Sequence, residues 1–147
     1  MTTARPTPNR RADYPHAQPI TTRWMDNDAY GHINNVVYYS FFDTVVNLWL
    51  IEHGALDFAA GPVVGYAVET GCNYFSPLAY PQKVTAGLRV AHIGRSSVRY
   101  EIAIFAEGVE IAAAQGHFIH VYVDRQTLRP VELPGTLRNA LQPLVPA

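Results

Sequence analysis

Residues 26–35 are Asp26-Asn27-Asp28-Ala29-Tyr30-Gly31-His32-Ile33-Asn34-Asn35, and a long apolar segment begins directly after them. From Val36 to about His53 the large apolar residues recur at helical spacing, and Gly54 follows where a left-handed cap is expected. This spacing predicts one long helix, and Asn34 or Asn35 is well placed to cap its start. Further apolar residues occupy the other faces, which favours a buried helix over an amphipathic one at the surface.

Segments typical of β-strands flank this helix on both sides. Ile20–Trp24 is rich in β-branched and aromatic residues and predicts a first strand. After the helix, four further strands are predicted at about Val63–Phe75, Lys83–Ile93, Ser96–Ala106 and Glu110–Val123. Gly94-Arg95 and Glu107-Gly108 are short turns suited to antiparallel hairpins. The pattern predicts an α+β fold in which a curved antiparallel sheet of about five strands wraps a long central helix.

The sequence divides into a short tail and one domain. Residues 1–18 are polar and basic and contain several prolines, and we expect a flexible tail there. Residues 19–147 carry the strand and helix patterns, and a chain of 147 residues is the size of one ordinary domain. Because the predicted helix is apolar nearly all round, the side that the sheet leaves open is expected to pack against a second copy of the chain.

Composition argues against several classes of partner. With 11 basic and 12 acidic residues the net charge is −1, whereas a protein that neutralises nucleic-acid phosphates carries a basic excess. Cys72 is the one cysteine, so neither an intramolecular disulfide nor a cysteine zinc cluster is expected. His117 and His120 point to opposite faces of a strand, and we predict no metal site. No apolar run has the length of a membrane span or a secretory signal, and we expect a cytoplasmic protein.

The loop of residues 26–35 concentrates polar groups at the start of a helix. The first N–H groups of a helix have no intrahelical partner, and with the helix dipole they can stabilise an oxyanion. A carboxylate and an imidazole beside such a helix end suffice for acyl transfer to water. The same residue types also serve any tight turn or helix cap, so that a purely structural loop is the alternative.

Residues 23–39 read Arg23-Trp24-Met25-Asp26-Asn27-Asp28-Ala29-Tyr30-Gly31-His32-Ile33-Asn34-Asn35-Val36-Val37-Tyr38-Tyr39. With Phe42-Asp43 they resemble the active-site loop and central helix of the 4-hydroxybenzoyl-CoA thioesterase family. The segment is also similar to the acyl-carrier-protein thioesterases of plants, which share the hot-dog fold. Tyr74-Phe75-Ser76-Pro77-Leu78, Ile93-Gly94-Arg95-Ser96-Ser97 and Val121-Tyr122-Val123-Asp124 extend the resemblance, which spans about residues 20–134.

The resemblance implies roles for individual loop residues. Asp28 falls where the family has its catalytic aspartate, which acts as nucleophile or general base. Asn35 falls where a backbone N–H polarises the thioester carbonyl, and His32 matches a histidine that assists the carboxylate. Tyr30 stands where the plant-type pattern has an asparagine, and Tyr30 and Gly31 are expected to contact the substrate.

Further implications concern residues beyond these. Asp26 is expected to brace the loop, and Asp43 matches an acidic helix position that is structural in the family. Arg95, Ser96 and Ser97 lie at a hairpin turn, where they either contact the phosphates of coenzyme A or form an ordinary polar turn.

The resemblance implies hydrolysis of an acyl-CoA thioester without any cofactor beyond the coenzyme A of the substrate. It also implies a homodimer or homotetramer, because the family forms its active site between subunits. Two alternatives remain open at this stage. One is another enzyme of the same fold, either an acyl-carrier-protein thioesterase or a hydratase, and the other is a non-catalytic module that binds acyl-CoA.

Overall fold

The computed structural model describes residues 5–147, and residues 1–4 of the predicted tail lie outside the described residues. The main elements are β1 (His16–Ile20), α1 (Val37–Glu52), β2 (Val63–Tyr74), β3 (Val84–Ile93), β4 (Ser97–Ala106), β5 (Ala114–Asp124) and α2 (Gly135–Leu141). The strands form one antiparallel sheet in the order β1-β3-β4-β5-β2. The sheet curves around α1, which confirms the predicted hot-dog architecture, and β2 lies at one of its edges.

Helix α1 buries one face against the sheet. Its buried side chains follow the helical period and make up much of the core: Tyr38, Phe41, Phe42, Val45, Val46, Trp49 and Leu50. The opposite face is open in the single chain, where Ile51 is 59% exposed and Ser40 and Thr44 are also exposed. The expected burial of α1 on all sides is therefore not achieved within one chain, since the sheet reaches around only part of it.

Both ends of α1 follow the local signals in the sequence. The Asn34 side-chain oxygen accepts a hydrogen bond from the Val36 N–H at 3.1 Å, and the Asn34 carbonyl accepts one from the Val37 N–H at 2.9 Å. Asn34 therefore caps the turn that leads into α1, whereas the N-cap residue of the helix itself is Val36, which has no side-chain cap. At the other end Gly54 has φ +58°, which is the left-handed conformation expected for it.

The predicted position of the first strand, Ile20–Trp24, is wrong. Strand β1 runs from His16 to Ile20 and pairs with β3, from His16 opposite Leu88 to Ile20 opposite Val84. Because β3 begins at Val84, the ladder has no partner beyond Ile20, and the chain turns into a short 3₁₀ helix at Trp24–Asp26. The sequence cannot show this limit, because a distant strand sets it.

The predicted boundary at residue 18 consequently falls inside the fold. Arg10 forms an isolated antiparallel bridge with Ile111, and the Ala112 N–H donates to the Asn9 carbonyl at 2.9 Å. Tyr14 is buried on the outer face of the sheet, where it forms a small second core with Ala103, Phe105 and Ala112. Residues 9–14 are thus packed against the sheet, which differs from the expected tail.

The other strand predictions agree more closely with the structure. Strands β2, β3 and β4 start and end within a residue or so of the predicted positions. Strand β5 begins at Ala114 rather than at Glu110, because residues 110–112 bond to the N-terminal segment instead. Helix α2 was not predicted; its Leu137 and Leu141 are fully buried, and the Trp49 indole N–H donates to the Ala140 carbonyl at 2.9 Å.

The Phe42 ring of α1 and the backbone of β2 both lie close to Gly116 of β5, and these contacts give a test of the packing. A Cβ atom at Gly116 would overlap the Gly71 carbonyl oxygen and lie 2.7 Å from Cε2 of Phe42. We expect Gly116→Ala to lower the free energy of unfolding by about 2 kcal/mol, since overpacking a filled core forces side chains or backbone to move. Urea denaturation followed by circular dichroism measures the change.

Gly135→Ala is the matched control, because a Cβ atom at Gly135 would have no heavy atom within 4 Å. Equal urea midpoints for the two variants would contradict this account of the packing between α1 and the sheet.

Candidate active site

The loop before α1 is braced from within by Asp26, as predicted. The Asp26 side chain is 1% exposed, and its Oδ2 atom accepts a hydrogen bond from the Arg23 N–H at 2.8 Å. Its Oδ1 atom lies 3.0 Å from the Arg23 guanidinium Nη2. The Asp26 carbonyl in turn accepts a hydrogen bond from the Asn34 N–H at 2.9 Å. This carboxylate is fully occupied in closing the loop and is not available for chemistry.

Two further hydrogen bonds fasten the loop to the segment that follows β2. The Ile33 N–H donates to the Leu78 carbonyl at 2.8 Å. The Asn27 side-chain oxygen accepts from the Tyr80 N–H at 2.9 Å. Asn27 and Ile33 also form an isolated bridge with each other. The loop therefore lies against the end of the sheet where β2 leaves it.

Asp28 lies at the tip of this loop and is half-buried. Its Oδ1 atom accepts a hydrogen bond from the Tyr30 N–H at 2.9 Å and a longer one from the His32 N–H at 3.5 Å. Within residues 5–147 no hydrogen bond reaches its Oδ2 atom. One carboxylate oxygen thus holds the turn, and the other forms no hydrogen bond within the described residues.

The entry into α1 presents an N–H group with no partner. Asn34 caps the turn through Val36 and Val37, but no acceptor for the Asn35 N–H is found in the described part of the chain. Asn35 itself is exposed. Unpaired N–H groups at a helix start are the donors that stabilise a developing negative charge on oxygen.

Asp28, His32 and Asn35 line one cleft of about 350 Å³. The structure therefore brings together the three residues predicted to be catalytic. The other residues of the cleft come from the end of β2 and from α1: Ile33, Tyr38, Tyr74, Phe75, Ser76 and Pro77. Among residues 5–147 no hydrogen bond joins the His32 ring to Asp28, so that the two groups share the cleft without forming a pair.

The predicted substrate-contact residues are not all at this cleft. Tyr30 is 87% exposed, and it stands with Gly31 on the outer side of the loop. Gly31 has φ +80°, so its place in the turn requires a residue that adopts the left-handed region.

Arg95, Ser96 and Ser97 lie at the opposite end of the sheet from Asp28. Tyr74, at the cleft, pairs with Ala114, which pairs with Ile104 near the far end of β4 from Ser97. The rise along β4 from Ser97 to Ile104 is about 23 Å at the usual strand spacing. One chain therefore does not bring this turn to the cleft.

Tyr38 and Tyr74 form the aromatic side of the cleft. From the sequence, Tyr38 is one of the helix aromatics expected in the core or at an interface, some of them lining an acyl tunnel, whereas Tyr74 belongs only to a strand end. Burial raises the pKa of Tyr38 to about 12, with the neighbouring Cys72 as the next cause. Burial also raises the pKa of the Cys72 thiol to about 11, so it is protonated at neutral pH and a poor nucleophile. Tyr74 belongs to the site because the end of β2 lies beside the start of α1 in the fold, which the sequence does not show.

The remaining candidate groups lie elsewhere. His117 and His120 point to opposite faces of β5, as predicted: the His117 ring pairs with Glu69 at 2.8 Å on the outside, whereas His120 is buried. Burial lowers the pKa of His120, and Asp43 opposes that shift. The Asp43 carboxylate accepts a hydrogen bond from the Asn47 side chain at 2.9 Å. No cluster of three metal-ligating side chains occurs among residues 5–147.

None of the helices in residues 5–147 is long and apolar enough to cross a membrane.

Solved structures with the same fold cover nearly the whole chain. The PA5185 protein of Pseudomonas aeruginosa is 54% identical with a TM-score of 0.92, over 95% of this chain and 98% of that one. A thioesterase of Thermus thermophilus, solved with coenzyme A and zinc, is 26% identical with a TM-score of 0.72, over 90% of this chain and 95% of that one. A predicted thioesterase of Bacillus stearothermophilus is 26% identical with a TM-score of 0.75, over 89% and 98%.

No match to this chain is found among curated proteins. The family model of the thioesterase-like superfamily matches residues 22–141, a range that contains the loop, α1 and the cleft. This protein belongs to the thioesterase-like superfamily.

Proposed function

We propose that this protein hydrolyses the thioester of an acyl-CoA, with Asp28 as the catalytic carboxylate. The observation that carries the proposal is the cleft in which the free Oδ2 side of Asp28 and the unpaired Asn35 N–H lie together. Membership of the thioesterase-like superfamily supports thioester hydrolysis as the type of reaction. The thioesterase of Thermus thermophilus that was solved with coenzyme A supports an acyl-CoA as the substrate.

The chemistry needs one nucleophile and one oxyanion donor. Asp28 either attacks the thioester carbonyl carbon or removes a proton from the water that attacks it. The carbonyl oxygen then becomes negative, and the Asn35 N–H at the helix start stabilises it. The carbon–sulfur bond breaks, and the thiolate of coenzyme A leaves and takes up the proton that the attacking water gives up or one from solvent. In the general-base route the water supplies the oxygen of the free acid directly. In the nucleophilic route the acyl group is first held on Asp28 as a mixed anhydride, and a water then hydrolyses this anhydride to the free acid and restores the carboxylate. His32 lines the cleft beside them and assists the carboxylate.

We also propose that the active site is completed by a second copy of the chain. Strand β2 is an edge strand of 12 residues, and it exposes large apolar side chains at Tyr66 and Val68, which are 47% and 59% exposed. An exposed apolar edge strand is a template for pairing with another chain. Antiparallel pairing of β2 with β2 of a second chain continues the sheet past this edge. The second chain then covers the open face of α1.

This pairing accounts for the position of Arg95, Ser96 and Ser97. Ser97 and Tyr66 both pair with Val121 of β5, so Ser97 lies at the same height in the sheet as Tyr66, near the start of β2. A two-fold axis across β2 places the start of the partner's strand beside the end of the first, where the cleft lies. The turn with the partner's Arg95 is then about 15 Å from the cleft at the usual spacing between strands, at the same end of the combined sheet. There its guanidinium and hydroxyl groups are placed to contact phosphates of coenzyme A.

The hydrolysis is tested by free-thiol release from short, medium, long and aromatic acyl-CoAs, with wild type and Asp28→Asn side by side. The asparagine retains an oxygen that accepts from the Tyr30 N–H, so the loop is expected to keep its shape while the nucleophile or base is lost. We expect a loss of kcat of at least a hundredfold, which corresponds to about 2.7 kcal/mol of transition-state stabilisation. Unchanged turnover in Asp28→Asn would refute the role of Asp28.

The same panel separates the alternatives. Thiol release from acyl-carrier-protein thioesters alone would replace the acyl-CoA substrate. Saturable binding of acyl-CoA without any thiol release would instead identify a binding module.

The assembly is tested by analytical ultracentrifugation of Val68→Lys. A lysine at the β2 edge is expected to block pairing, so that the 16.3 kDa single chain dominates at micromolar concentration and thiol release is lost. Ala17→Lys is the matched control, because Ala17 is exposed on β1 at the other edge of the sheet. An intact dimer in Val68→Lys, or a wild type that is active as a single chain, would overturn this assembly.

A homotetramer, a cytoplasmic location and hydrolysis without a resident cofactor or metal stay predictions of the sequence.

A further inference from the structure

A second pocket, of about 250 Å³, lies between the middle of α1 and the start of β2 and contains a buried histidine. The His120 side chain is 6% exposed, and its ring forms no hydrogen bond within residues 5–147. No fully enclosed polar side-chain atom in those residues lacks a partner, so the ring nitrogens of His120 open into the pocket instead of being sealed in the core. A buried imidazole without a partner is destabilising unless a water or a ligand pairs with it.

Aromatic neighbours hold the His120 ring in one orientation. It stacks on the ring of Phe118, with centroids 5.8 Å apart and planes at 27°. The Tyr100 ring meets it edge-on, with centroids 5.2 Å apart and planes at 66°. The ring is therefore fixed before any ligand binds, and its nitrogens find a partner only on the side of the pocket.

The His120 pocket favours a neutral polar group over an anion. Burial lowers the pKa of His120, and the Asp43 carboxylate in the same pocket only partly opposes that shift. The imidazole is therefore neutral at neutral pH, with one nitrogen that donates and one that accepts. Asp43 also repels a ligand carboxylate. The apolar side chains of Leu50, Leu56 and Phe58 complete the wall, so that a hydroxyl on a hydrocarbon chain matches the lining.

The inner face of β2 is open between the His120 pocket and the cleft that holds Asp28. Ala67 pairs directly with His120, so both side chains lie on the inner face of the sheet. Thr70 pairs with Phe118 and lies on the same face. Ala67 and Thr70 are nevertheless exposed, because α1 does not cover this edge of the sheet. A groove therefore runs along β2 from the cleft to the His120 pocket.

The length of this groove indicates the size of its ligand. Along β5, the distance from Ala114, which pairs with Tyr74 at the cleft, to His120 is about 20 Å at the usual rise of a strand. Along the helix, the rise from Asn35 to Asp43 is about 12 Å. An extended carbon chain advances about 1.2 Å per bond, as an extended polypeptide does, so that the two distances correspond to roughly 10 to 16 atoms.

We propose that the His120 pocket is the subsite for the far end of the acyl chain, where His120 hydrogen-bonds a hydroxyl group carried by a medium- to long-chain acyl-CoA. The inference rests on the proposed function and deepens it by naming the class of acyl group. A cavity of about 150 Å³ holds benzene, so the His120 pocket has room for the last carbons of a chain and its hydroxyl. A site that pairs with a substrate hydroxyl rejects the analogue without it, because buried polar groups are then left unpaired.

Thiol release from ω-hydroxydodecanoyl-CoA, dodecanoyl-CoA and ω-carboxyundecanoyl-CoA tests the proposal in wild type and in His120→Phe. We expect the wild-type kcat/KM for the hydroxylated substrate to exceed the other two at least about tenfold. Phenylalanine keeps a ring against Phe118 but offers no hydrogen bond. In this variant the kcat/KM for the hydroxylated substrate is expected to fall to that for dodecanoyl-CoA.

His117→Phe is the matched control. His117 lies on the outer face of the same strand, where its ring pairs with Glu69 at 2.8 Å, so its removal is expected to leave the preference at the wild-type value. Three results would each overturn the subsite: equal kcat/KM for the hydroxylated and unsubstituted substrates in wild type, a preference retained in His120→Phe, or an equal loss in His117→Phe.

A second measurement uses the wild type alone and does not require turnover. S-(ω-hydroxydodecyl)-coenzyme A and S-dodecyl-coenzyme A are thioethers that a thioesterase does not cleave. We expect the first to bind about tenfold more tightly and to shift the NMR signals of the His120 ring nitrogens, because only its hydroxyl pairs with the ring. Equal affinities for the two thioethers, or an unshifted His120 ring, would defeat the subsite. Absence of thiol release from every acyl-CoA would defeat the proposed function instead, so that the two failures are distinguishable.

Discussion

The packing of α1 against the sheet is the constraint on which the rest of the structure depends. Seven side chains of one helical face enter the core, and Phe42 lies directly over Gly116 of β5. Further contacts of α1 with β2, β3 and β4 fix its position on the sheet. The start of α1 then lies at the end of β2, and the loop that carries Asp28 is hydrogen-bonded to the segment after β2. Without this contact, the loop and the cleft would not be formed side by side.

The loop proposed to be catalytic is also a compact structural turn. The hydrogen bonds of Asp26 and Asn34 close a tight turn of the ordinary kind. Within residues 5–147, that turn leaves Oδ2 of Asp28 and the Asn35 N–H without partners, and Asp28 and Asn35 line one cleft. The structural interpretation of the sequence is thus correct for Asp26 and Asn34, and it is compatible with the role proposed for Asp28. In that proposal, the turn holds the groups in place before any substrate arrives.

The proposed pairing of two chains makes the cleft of one chain half of a larger arrangement. The free edge of β2, the open face of α1 and the distant turn at Arg95 are three separate signs of this. An open edge strand is a template for pairing with another chain. The turn at Arg95 lies at the far end of the sheet and has no cleft beside it in a single chain. The proposed two-fold pairing of β2 strands accounts for all three features, because it brings the start of one β2 beside the end of the other.

The sequence by itself determined the features that depend on neighbouring residues. The length of α1, the left-handed Gly54, the cap at Asn34 and the brace at Asp26 all follow from bonds or packing within a few positions. The succession of strands along the chain was also predicted for β2 to β5, since each carries its own pattern. The position of β1 was not, because its partner β3 limits it.

Only the tertiary structure decided the packing of residues 9–14, the addition of α2 and the placement of Tyr74 against Asn35. These contacts join residues far apart in the chain, and their energies depend on how the whole sheet curves around the helix. The amino-acid composition of a short segment does not show how the sheet curves. It was therefore sufficient to propose Asp28 as a site residue and insufficient to place Tyr74 in the same cleft.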